Sequence, residues 1–370
     1  MMKVNIITCY ESNEELVSFV FEACQSRGYE VQAITSNYSH IRKEKRNNVP
    51  SGFIAINTKP YKKNLSLERM LSHRQFAKDA FELVENNNPD LIWLIAPANS
   101  LIKEANNYKK NHKDVKIVVH IIDMWPESVP IPFNKHLFPF SLWRNIRRNN
   151  INCADALVTE CDLYKEILEE EYRKDIKTIY WSRKPNDINK ELDLPNDKLS
   201  FCYIGSINNI IDIDRIAKLI ESSDKEVILH LIGEGEKTEE MIDKLSKVCD
   251  IAYYGAVRDE KKKNEIFNKC HAGINIYKDG LYIGLTVKCI DYLEHGLPLI
   301  NNIKGDTWIF VVKDNVGINV DKNTTLKTDE IINMRLNNEH IYEFFKNNFT
   351  KDVFENRCLE VIDEVLKWNW

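Results

Sequence analysis

The sequence lacks any long hydrophobic run. Its longest apolar stretch, LIWLIAPA at 91–98, is far shorter than the roughly 18 residues that a helix needs to cross a bilayer. A secretion signal is also missing, because the strand-like run KVNIIT begins at Lys3 with no basic segment and no cleavage site before it. We therefore expect a cytoplasmic protein that does not span a membrane, although it can lie peripherally on the inner face of one.

Cysteine pairs with redox or metal-ligand spacing are absent too. The nine cysteines are scattered, odd in number and without a Cys-x-x-Cys, which is typical of reduced thiols in the cytosol. No His or Cys spacing fits a metal site and no nucleophile elbow G-x-S-x-G occurs, so we predict no metal and no cofactor. The net charge of −5 argues against a nucleic-acid partner, although residues 101–150 hold nine Lys or Arg against four Asp or Glu.

Glycine is scarce, with 12 residues in 370, and no G-x-G-x-x-G pattern occurs. Residues 233–238 (GEGEKT) break that pattern, and the first strand runs into ITCYESNEE without a glycine, which disfavours a nicotinamide-dependent dehydrogenase. Residues 212–214 (DID) do spell a D-x-D metal-binding pattern. They open a helical pattern, however, where the helix dipole favours acidic residues, so we interpret them as a helix cap.

What the sequence does have is a repeated alternation of short β-branched runs with helical patterns, which predicts parallel sheets covered by helices. Strands are predicted in the first half at 3–9, 30–35, 52–57, 91–96, 115–122, 156–159 and 177–181. In the second half they are predicted at 199–205, 226–232, 251–256, 272–277, 298–303 and 316–320. We predict an α/β protein with two Rossmann-like domains, 1–185 and 198–348, facing across a cleft, and an amphipathic helix at 349–370 that crosses back to the first domain.

The segment GLTVKCIDYLEHGLP at 284–298 is the most informative in the chain. Thr286 can cap a helix, Gly296 can end it in the left-handed conformation and Pro298 prevents its continuation, which predicts a helix near 287–295. On one polar face we expect Lys288, Asp291, Tyr292 and His295, with Val287, Ile290 and Leu293 turned to the sheet. The amides at the start of this helix, with Lys288, would suit a diphosphate. A surface helix with a solvated Lys288–Asp291 pair remains the alternative.

The segment KCIDYLEHGLP at 288–298 resembles the K-x-x-E-Y-L-A-x-G-K-P element of GT-B glycosyltransferases of family 4. YIGS at 203–206, LIGEGE at 231–236 and YYGAV at 253–257 resemble that family's two glycine turns and its base-contacting strand, in the same order. The resemblance implies that the second domain binds a nucleotide-sugar donor. The implied donor-binding residues are Gly205, Ser206, Gly233, Tyr254, Gly255, Arg258, Gly284, Leu285, Thr286, Val287, Lys288 and Asp291.

The chain departs from the family pattern in two places. The family has two glutamates eight positions apart, and here the second position is Asp291 while the first falls at Ile283, which removes a side chain expected near the donor sugar. The Arg and Lys that usually follow the first glycine turn are also missing from SINNIIDID at 206–214. Phosphate charge would then be met by helix-end amides, by Lys288, or by Arg258 or Lys278.

DMWPES at 123–128 is similar to the D-[LM]-W-P-E-S element of bacterial surface-polysaccharide members of the same family. Asp123 ends a predicted strand, and Glu127 adds a second carboxylate nearby, so both are candidate catalytic residues that could orient or deprotonate an acceptor hydroxyl. The alternative is that Asp123 caps a loop and Glu127 is solvated. His120, inside the strand, is better interpreted as a satisfied core histidine.

Aromatic and basic residues follow this element and suit either a membrane interface or the diphosphate of a lipid-linked acceptor. A folded loop covering the first domain explains the aromatics equally well. The candidate acceptor or membrane residues are Trp125, Phe138, Trp143, Arg144, Arg147 and Arg148, with Phe133 and Phe140 among the neighbouring aromatics.

Together these features predict a glycosyltransferase that moves a sugar from a nucleotide-diphosphate donor, a UDP-sugar, to a glycan or polyprenyl-diphosphate-linked acceptor. The resemblance further implies a retaining, metal-independent reaction in capsule or O-antigen synthesis. Two alternatives remain open: a GT-B nucleotide-sugar epimerase, which would need no acceptor, and a non-catalytic partner subunit, which Ile283 favours.

Overall fold

The computed structural model describes residues 1–129, 137–138, 140–186 and 191–367. The chain divides into two compact units. Unit 1 contains residues 1–181 together with the chain from 351 onward, and unit 2 contains Ser182–Thr350.

Unit 1 is built on a seven-stranded sheet in which every pairing is parallel. The strands of this unit are β1 (Lys3–Thr8), β2 (Glu30–Ser36), β3 (Tyr38–Ser39), β4 (Glu44–Lys45), β5 (Phe53–Ile56), β6 (Leu91–Ala96), β7 (Lys116–Ile121), β8 (Ala156–Thr159) and β9 (Ile176–Thr178). The order across the sheet is β5-β2-β1-β6-β7-β8-β9. Strands β3 and β4 form a separate two-stranded antiparallel ribbon that the sequence did not predict.

Helices cover this sheet because its central strands are buried on both faces, as β6 shows with all six residues buried. They are α1 (Glu14–Ser26), α2 (Leu67–Asn87), α3 (Asn99–Asn111), α4 (Phe140–Arg148) and α5 (Lys165–Glu171).

Unit 2 is built on a six-stranded parallel sheet with the order β12-β11-β10-β13-β14-β15. Its strands are β10 (Leu199–Ile204), β11 (Val227–Ile232), β12 (Asp250–Gly255), β13 (Ala272–Asn275), β14 (Leu299–Asn301) and β15 (Gly317–Asn319). Its helices are α6 (Ile213–Glu221), α7 (Thr238–Leu245), α8 (Glu260–Phe267), α9 (Val287–Glu294), α10 (Asp306–Asp314), α11 (Thr328–Leu336) and α12 (Glu339–Asn348).

Both sheets have the strand order of a Rossmann fold, so the predicted pair of Rossmann-like domains is confirmed. In each sheet the order reverses once, between β1 and β6 in unit 1 and between β10 and β13 in unit 2. Open parallel sheets bind ligands outside the carboxyl ends of the strands at this switch point. The fold therefore directs attention to the loops after β1 and β6, and to those after β10 and β13.

The last helix, α13 (Lys351–Lys367), returns to unit 1 and packs on its core. Its buried side chains are Phe354, Cys358, Val361, Ile362 and Val365. The Phe354 ring lies edge-on to Phe19 of α1, with centroids 5.8 Å apart. This packing explains the apolar stripe read from the sequence, because the stripe fills a face of unit 1.

Candidate functional site

Three glycine turns lie side by side at the carboxyl edge of the unit 2 sheet. Gly205 follows β10, Gly233 follows β11 and Gly255 ends β12, and the Gly233 amide donates to the Gly255 carbonyl at 2.8 Å. Gly233 has a φ of 135°, and a β-carbon there would lie 1.9 Å from the carbonyl oxygen of Gly205. No side chain fits at that position, so glycine lets the two adjacent turns pack backbone against backbone.

Lys288 places a buried cation beside the first of these turns. The residue is 8% exposed, its Nζ lies 3.8 Å from the ring centroid of Tyr203 and 4.9 Å from that of Tyr277, and it has no hydrogen-bond partner among the described residues. Burial lowers the pKa of Lys288 to about 7. A β-carbon built on Gly205 would lie 3.8 Å from Nζ. An anion bound at this turn would therefore meet an ammonium group that has no other charge partner within hydrogen-bond distance.

The start of α9 offers further donors to such an anion. Thr286 occupies the N-cap position as predicted, but its hydroxyl does not cap the helix and donates instead to Asn275 Oδ1 at 2.9 Å. The Thr286 side chain caps none of the first-turn amides, and the Cys289 amide donates to the Thr286 carbonyl at 3.0 Å, which leaves the amides of Val287 and Lys288 as the candidate donors. Lys288 and these amides lie on one helix next to the switch point between β10 and β13.

The predicted faces of α9 need two corrections. Val287 is 43% exposed and does not turn to the sheet. Tyr292 is fully buried and not on a polar face, because its hydroxyl accepts from the Ile204 amide at 2.9 Å and its ring fills the space that a side chain at Gly273 would need. Gly296 does end the helix region with a positive φ of 62°, as predicted.

Asp291 is buried in an ion-pair network. Its Oδ1 lies 2.6 Å from Arg183 Nη1 and 3.4 Å from Lys263 Nζ, and the residue is 6% exposed. The simple surface pair of Lys288 with Asp291 is therefore not formed. A role for Asp291 in binding ribose stays a prediction, and it requires the hydroxyls to share a carboxylate already held by Arg183.

The other predicted donor residues lie along the same edge of unit 2. Ser206, Arg258 and Val287 are exposed, whereas Leu285 and Thr286 are half-buried. The Gly284 carbonyl accepts hydrogen bonds from the amide and the hydroxyl of Thr307, which fixes the loop before α9. The Tyr254 hydroxyl lies 2.8 Å from His230 Nδ1, and their rings stack. Asp212, by contrast, accepts from the Arg215 amide at 3.0 Å, which confirms it as a helix cap.

An asparagine ladder supports the loop before α9, and the sequence analysis missed it. Asn275 donates to Asn301 and Asn301 donates to Asn319, each at 2.8 Å, so that one amide side chain ends each of the strands β13, β14 and β15. Because Thr286 bonds to Asn275, the ladder also positions the start of α9. The signal was present, since an asparagine is the last residue of all three strands.

In unit 1 the structure places Asp123 just after β7, at the carboxyl edge of the sheet. Asp123 is half-buried and accepts a hydrogen bond from the Ser128 hydroxyl. Burial raises the pKa of Asp123, and the hydrogen bond from Ser128 offsets part of that rise. A carboxyl group with a raised pKa at a sheet edge is a reasonable candidate for proton transfer.

Glu127, the other predicted catalytic residue, is held by an arginine. Its two oxygens bind Arg147 Nη1 and Nη2 at 2.9 and 2.8 Å, and Glu171 of α5 binds the same guanidinium at 2.8 and 2.9 Å. Arg147 is 1% exposed and also donates to the Trp125 carbonyl at 2.7 Å. The two carboxylates and Arg147 therefore fix the loop that carries Asp123.

The predicted acceptor or membrane patch is only partly on the surface. Trp143 and Arg147 are buried, so neither can face a lipid surface, because the helix turns them into unit 1. Phe138 is 75% exposed, Arg148 is exposed, and Trp125 and Arg144 are half-buried. Phe140 is buried, and Phe133 lies outside the described residues.

A cluster of buried polar residues around Arg69 is a second feature of unit 1. Its members are far apart in the chain, so no local pattern in the sequence indicated it. Arg69 of α2 is 2% exposed; its Nη2 donates to the Tyr10 hydroxyl at 2.6 Å and its guanidinium lies 4.0 Å from the ring centroid of Trp125. His73 and His40 adjoin it, and burial, together with the charge of Arg69, lowers the pKa of His40 to about 4 and that of His73 well below its ordinary value. This cluster lines the switch-point edge after β1, next to Asp123.

No protein-family model matches the chain, and no curated protein does. Solved structures do match over the whole chain. Sucrose-phosphate synthase from Thermosynechococcus elongatus has a TM-score of 0.71 at 10% identity, covering 100% of both chains. The lipopolysaccharide outer core galactosyltransferase WaaB, in its apo form, has a TM-score of 0.68 at 13% identity, also covering 100% of both.

HepE of Anabaena, solved with UDP and glucose, has a TM-score of 0.67 at 10% identity and covers 98% of this chain and 100% of its own. These identities are low, so the similarity shows the fold and no more. The chain has the GT-B fold of these glycosyltransferases, as the sequence predicted.

Proposed function

We propose that this protein is a glycosyltransferase that transfers a sugar from a UDP-sugar, bound in unit 2, to an acceptor bound in unit 1. The observation that carries the proposal is the buried ammonium of Lys288, which has no hydrogen-bond partner in the described chain and lies beside the Gly205 turn. A diphosphate would supply the missing negative charge, and the first-turn amides of α9 would add donors to it. The UDP bound in the HepE structure supports the choice of nucleotide.

In this proposal Tyr254 and Gly255 adjoin the base, Asp291 binds the ribose, and Gly205, Lys288 and the start of α9 bind the diphosphate. Arg258, exposed in the loop after β12, is a second candidate for phosphate binding. The resemblance to family 4 favours a reaction that retains anomeric configuration and uses no metal.

Asp123 is the proposed catalytic residue of unit 1. Its carboxyl group would orient or deprotonate the acceptor hydroxyl, or stabilise positive charge on the sugar in the transition state. Glu127 would act only through Arg147, as a positioning residue for the loop.

The proposed acceptor is a glycan, either free or linked to polyprenyl diphosphate, in the synthesis of a bacterial surface polysaccharide such as capsule or O-antigen. A groove of about 460 Å³ between α2, α3 and α4 supports an acceptor with an apolar part. Leu67, Leu71 and Leu142 line it and are exposed, and Arg74 and Lys103 add positive charge. Such a surface would suit peripheral contact with anionic lipid. Among the described residues, no helix has the length and apolarity to cross a bilayer.

Titrating the protein with UDP, GDP and dTDP in a calorimeter tests the donor site. We expect UDP to bind, and the Lys288→Ala variant to bind it at least about tenfold more weakly, since a charge-assisted contact to phosphate is lost. Lys262→Ala, at an exposed position on α8, is the matched control and should bind like the wild type. Unchanged affinity in Lys288→Ala would contradict the phosphate assignment.

Product analysis then separates the reaction classes. A UDP-sugar consumed only when a glycan or lipid-linked acceptor is added, with activity lost in Asp123→Asn, would support the transferase. A new UDP-sugar formed without acceptor would indicate an epimerase. Failure of every nucleotide to bind would indicate a non-catalytic partner subunit, which the apolar Ile283 favours.

A further inference from the structure

A cavity of about 440 Å³ adjoins the proposed donor site and has no role in the preceding proposal. Its walls come from α6 and from the loops that follow β13, β14 and β15, at the carboxyl edge of the unit 2 sheet. We call it the lysine cavity, after Lys278, Lys304 and Lys322, which line it.

The lysine cavity and the Lys288 site share one wall residue, and a second residue of the cavity precedes the loop before α9. Tyr277 lines the cavity, and its ring centroid lies 4.9 Å from Lys288 Nζ. Ile283 lines the cavity as well, and the next residue, Gly284, begins the loop that leads into α9. A sugar attached to a diphosphate at the start of α9 would therefore be next to this cavity.

The positive charge of the cavity exceeds its negative charge. Of its two carboxylates, Asp279 is held by Arg215 at 2.8 Å and by Lys322 at 2.9 Å. Asp321 accepts from the amide of Asn323 at 2.8 Å and from the Thr324 hydroxyl, which closes its own turn. Lys278 and Lys304 form no ion pair within the described residues, and the contact that Lys304 does make is with the ring of Trp308, 3.3 Å from its centroid.

Two residues of the inner wall offer little to the hydroxyls of a neutral sugar. Ile283 is apolar, and the side chain of Asn302 is used up by the backbone of Tyr277, to which it donates at 2.6 Å and from which it accepts at 2.8 Å. A carboxylate, in contrast, would find two ammonium groups that form no ion pair within the described residues, since Asp321 acts on Lys304 and Glu240 on Lys278 only from beyond ion-pair distance.

We propose that the sugar transferred by this protein is a hexuronic acid, whose carboxylate binds Lys278 and Lys304 in the lysine cavity. The inference rests on the proposed function, because it names the sugar of the same donor. It also gives a physical role to Ile283, since an acidic side chain at that position would repel an acidic sugar.

The test compares donors that differ only in the group on C5. Calorimetric affinities are measured for UDP-glucuronate against UDP-glucose, for UDP-galacturonate against UDP-galactose, and for UDP alone. We expect the acidic member of at least one pair to bind about tenfold more tightly than its neutral counterpart, and the preference to weaken in high salt.

The double variant Lys278→Gln, Lys304→Gln should lose this preference, and Lys304→Gln alone, which leaves the phosphate candidate Lys278 in place, should weaken the preference and keep the affinity for UDP. Both lysines are exposed, so the variant is expected to fold, and Lys313→Gln, exposed on α10 outside the cavity, is the control. A neutral sugar bound as tightly as the acidic one in both pairs, or a preference that survives the double variant, would overturn the inference alone. If UDP itself does not bind, the proposed function fails, and the inference fails with it.

Discussion

At the scale of single residues, Lys288 shows how a binding function conflicts with stability. The protein interior disfavours an ammonium that has no hydrogen-bond partner, so the same group that would attract a diphosphate destabilises the empty protein. Removing the charge while keeping the volume should separate the two effects.

We expect Lys288→Met to raise the free energy of unfolding by about 1–3 kcal/mol at pH 7 or below, because a buried unmatched polar group is removed. The folded-state pKa of Lys288, about 7, is below the value of about 10.4 for an unfolded lysine. Between these values the unfolded chain binds the extra proton, so wild-type stability should rise with pH and the gain in the variant should shrink. Urea unfolding of both proteins at pH 6.5, 8 and 9.5 measures this, and a gain that does not change with pH would contradict it.

Lys288 also shows that a sequence pattern does not determine which charged residues form an ion pair. Lys288 and Asp291 are three residues apart, which suggests a solvated pair, but the structure gives Asp291 to Arg183 and leaves Lys288 beside Tyr203. Arg183 is more than a hundred residues away in the chain, and no local spacing could have indicated it.

At the scale of elements, α13 belongs to the core of unit 1, although it follows the whole of unit 2 in the sequence. Its Phe354 is fully buried and packs against Phe19 of α1 and the imidazole of His120. Phe354→Ala should lower the free energy of unfolding by about 3–5 kcal/mol, since it leaves a large cavity.

Glu360→Ala, at an exposed position of the same helix, is the control and should change it by less than about 0.5 kcal/mol. Denaturation in urea compares the two variants with the wild type. Equal stability of all three would show that α13 does not contribute to the folded core.

At the scale of the whole molecule, buried histidines predict sensitivity to acid. Burial lowers the pKa of six histidines that are distributed over both units. They are His40 (about 4), His73 (well below its ordinary value), His120 (about 3), His230 (about 4), His271 (about 4) and His295 (about 3).

These imidazoles are neutral in the folded protein, whereas in the unfolded chain they bind protons near pH 6.5. Stability should therefore be complete above about pH 6.5 and fall as the pH drops toward 4, each histidine adding up to about 1.4 kcal/mol per pH unit. Urea midpoints at pH 7, 6 and 5 follow the loss. His120→Phe should reduce the dependence of the free energy of unfolding on pH, because it removes one of these imidazoles. Both nitrogens of His120 lack a hydrogen-bond partner in the described chain, which corrects the expectation of a satisfied core histidine. The control His340→Gln, at an exposed position, should leave the slope unchanged.

The sequence by itself determined the strands of both sheets, the helix after Thr286 and the apolar stripe of the last helix. These features depend on local periodicity and on turn residues, and both are visible in the amino-acid sequence. It did not reveal the short ribbon of β3 and β4, whose two-residue strands carry no periodic signal.

Only the tertiary structure decided which polar residues are available. It buried Arg147 between Glu127 and Glu171, joined Arg69 to Tyr10, and left Lys278 and Lys304 without an ion pair among the described residues. The charge state and burial of a side chain depend on partners that folding brings from distant segments, and a charge is costly or useful according to those partners. For this reason the sequence could predict a donor site, whereas the proposal of an acidic sugar depends on charges that only the folded chain brings together.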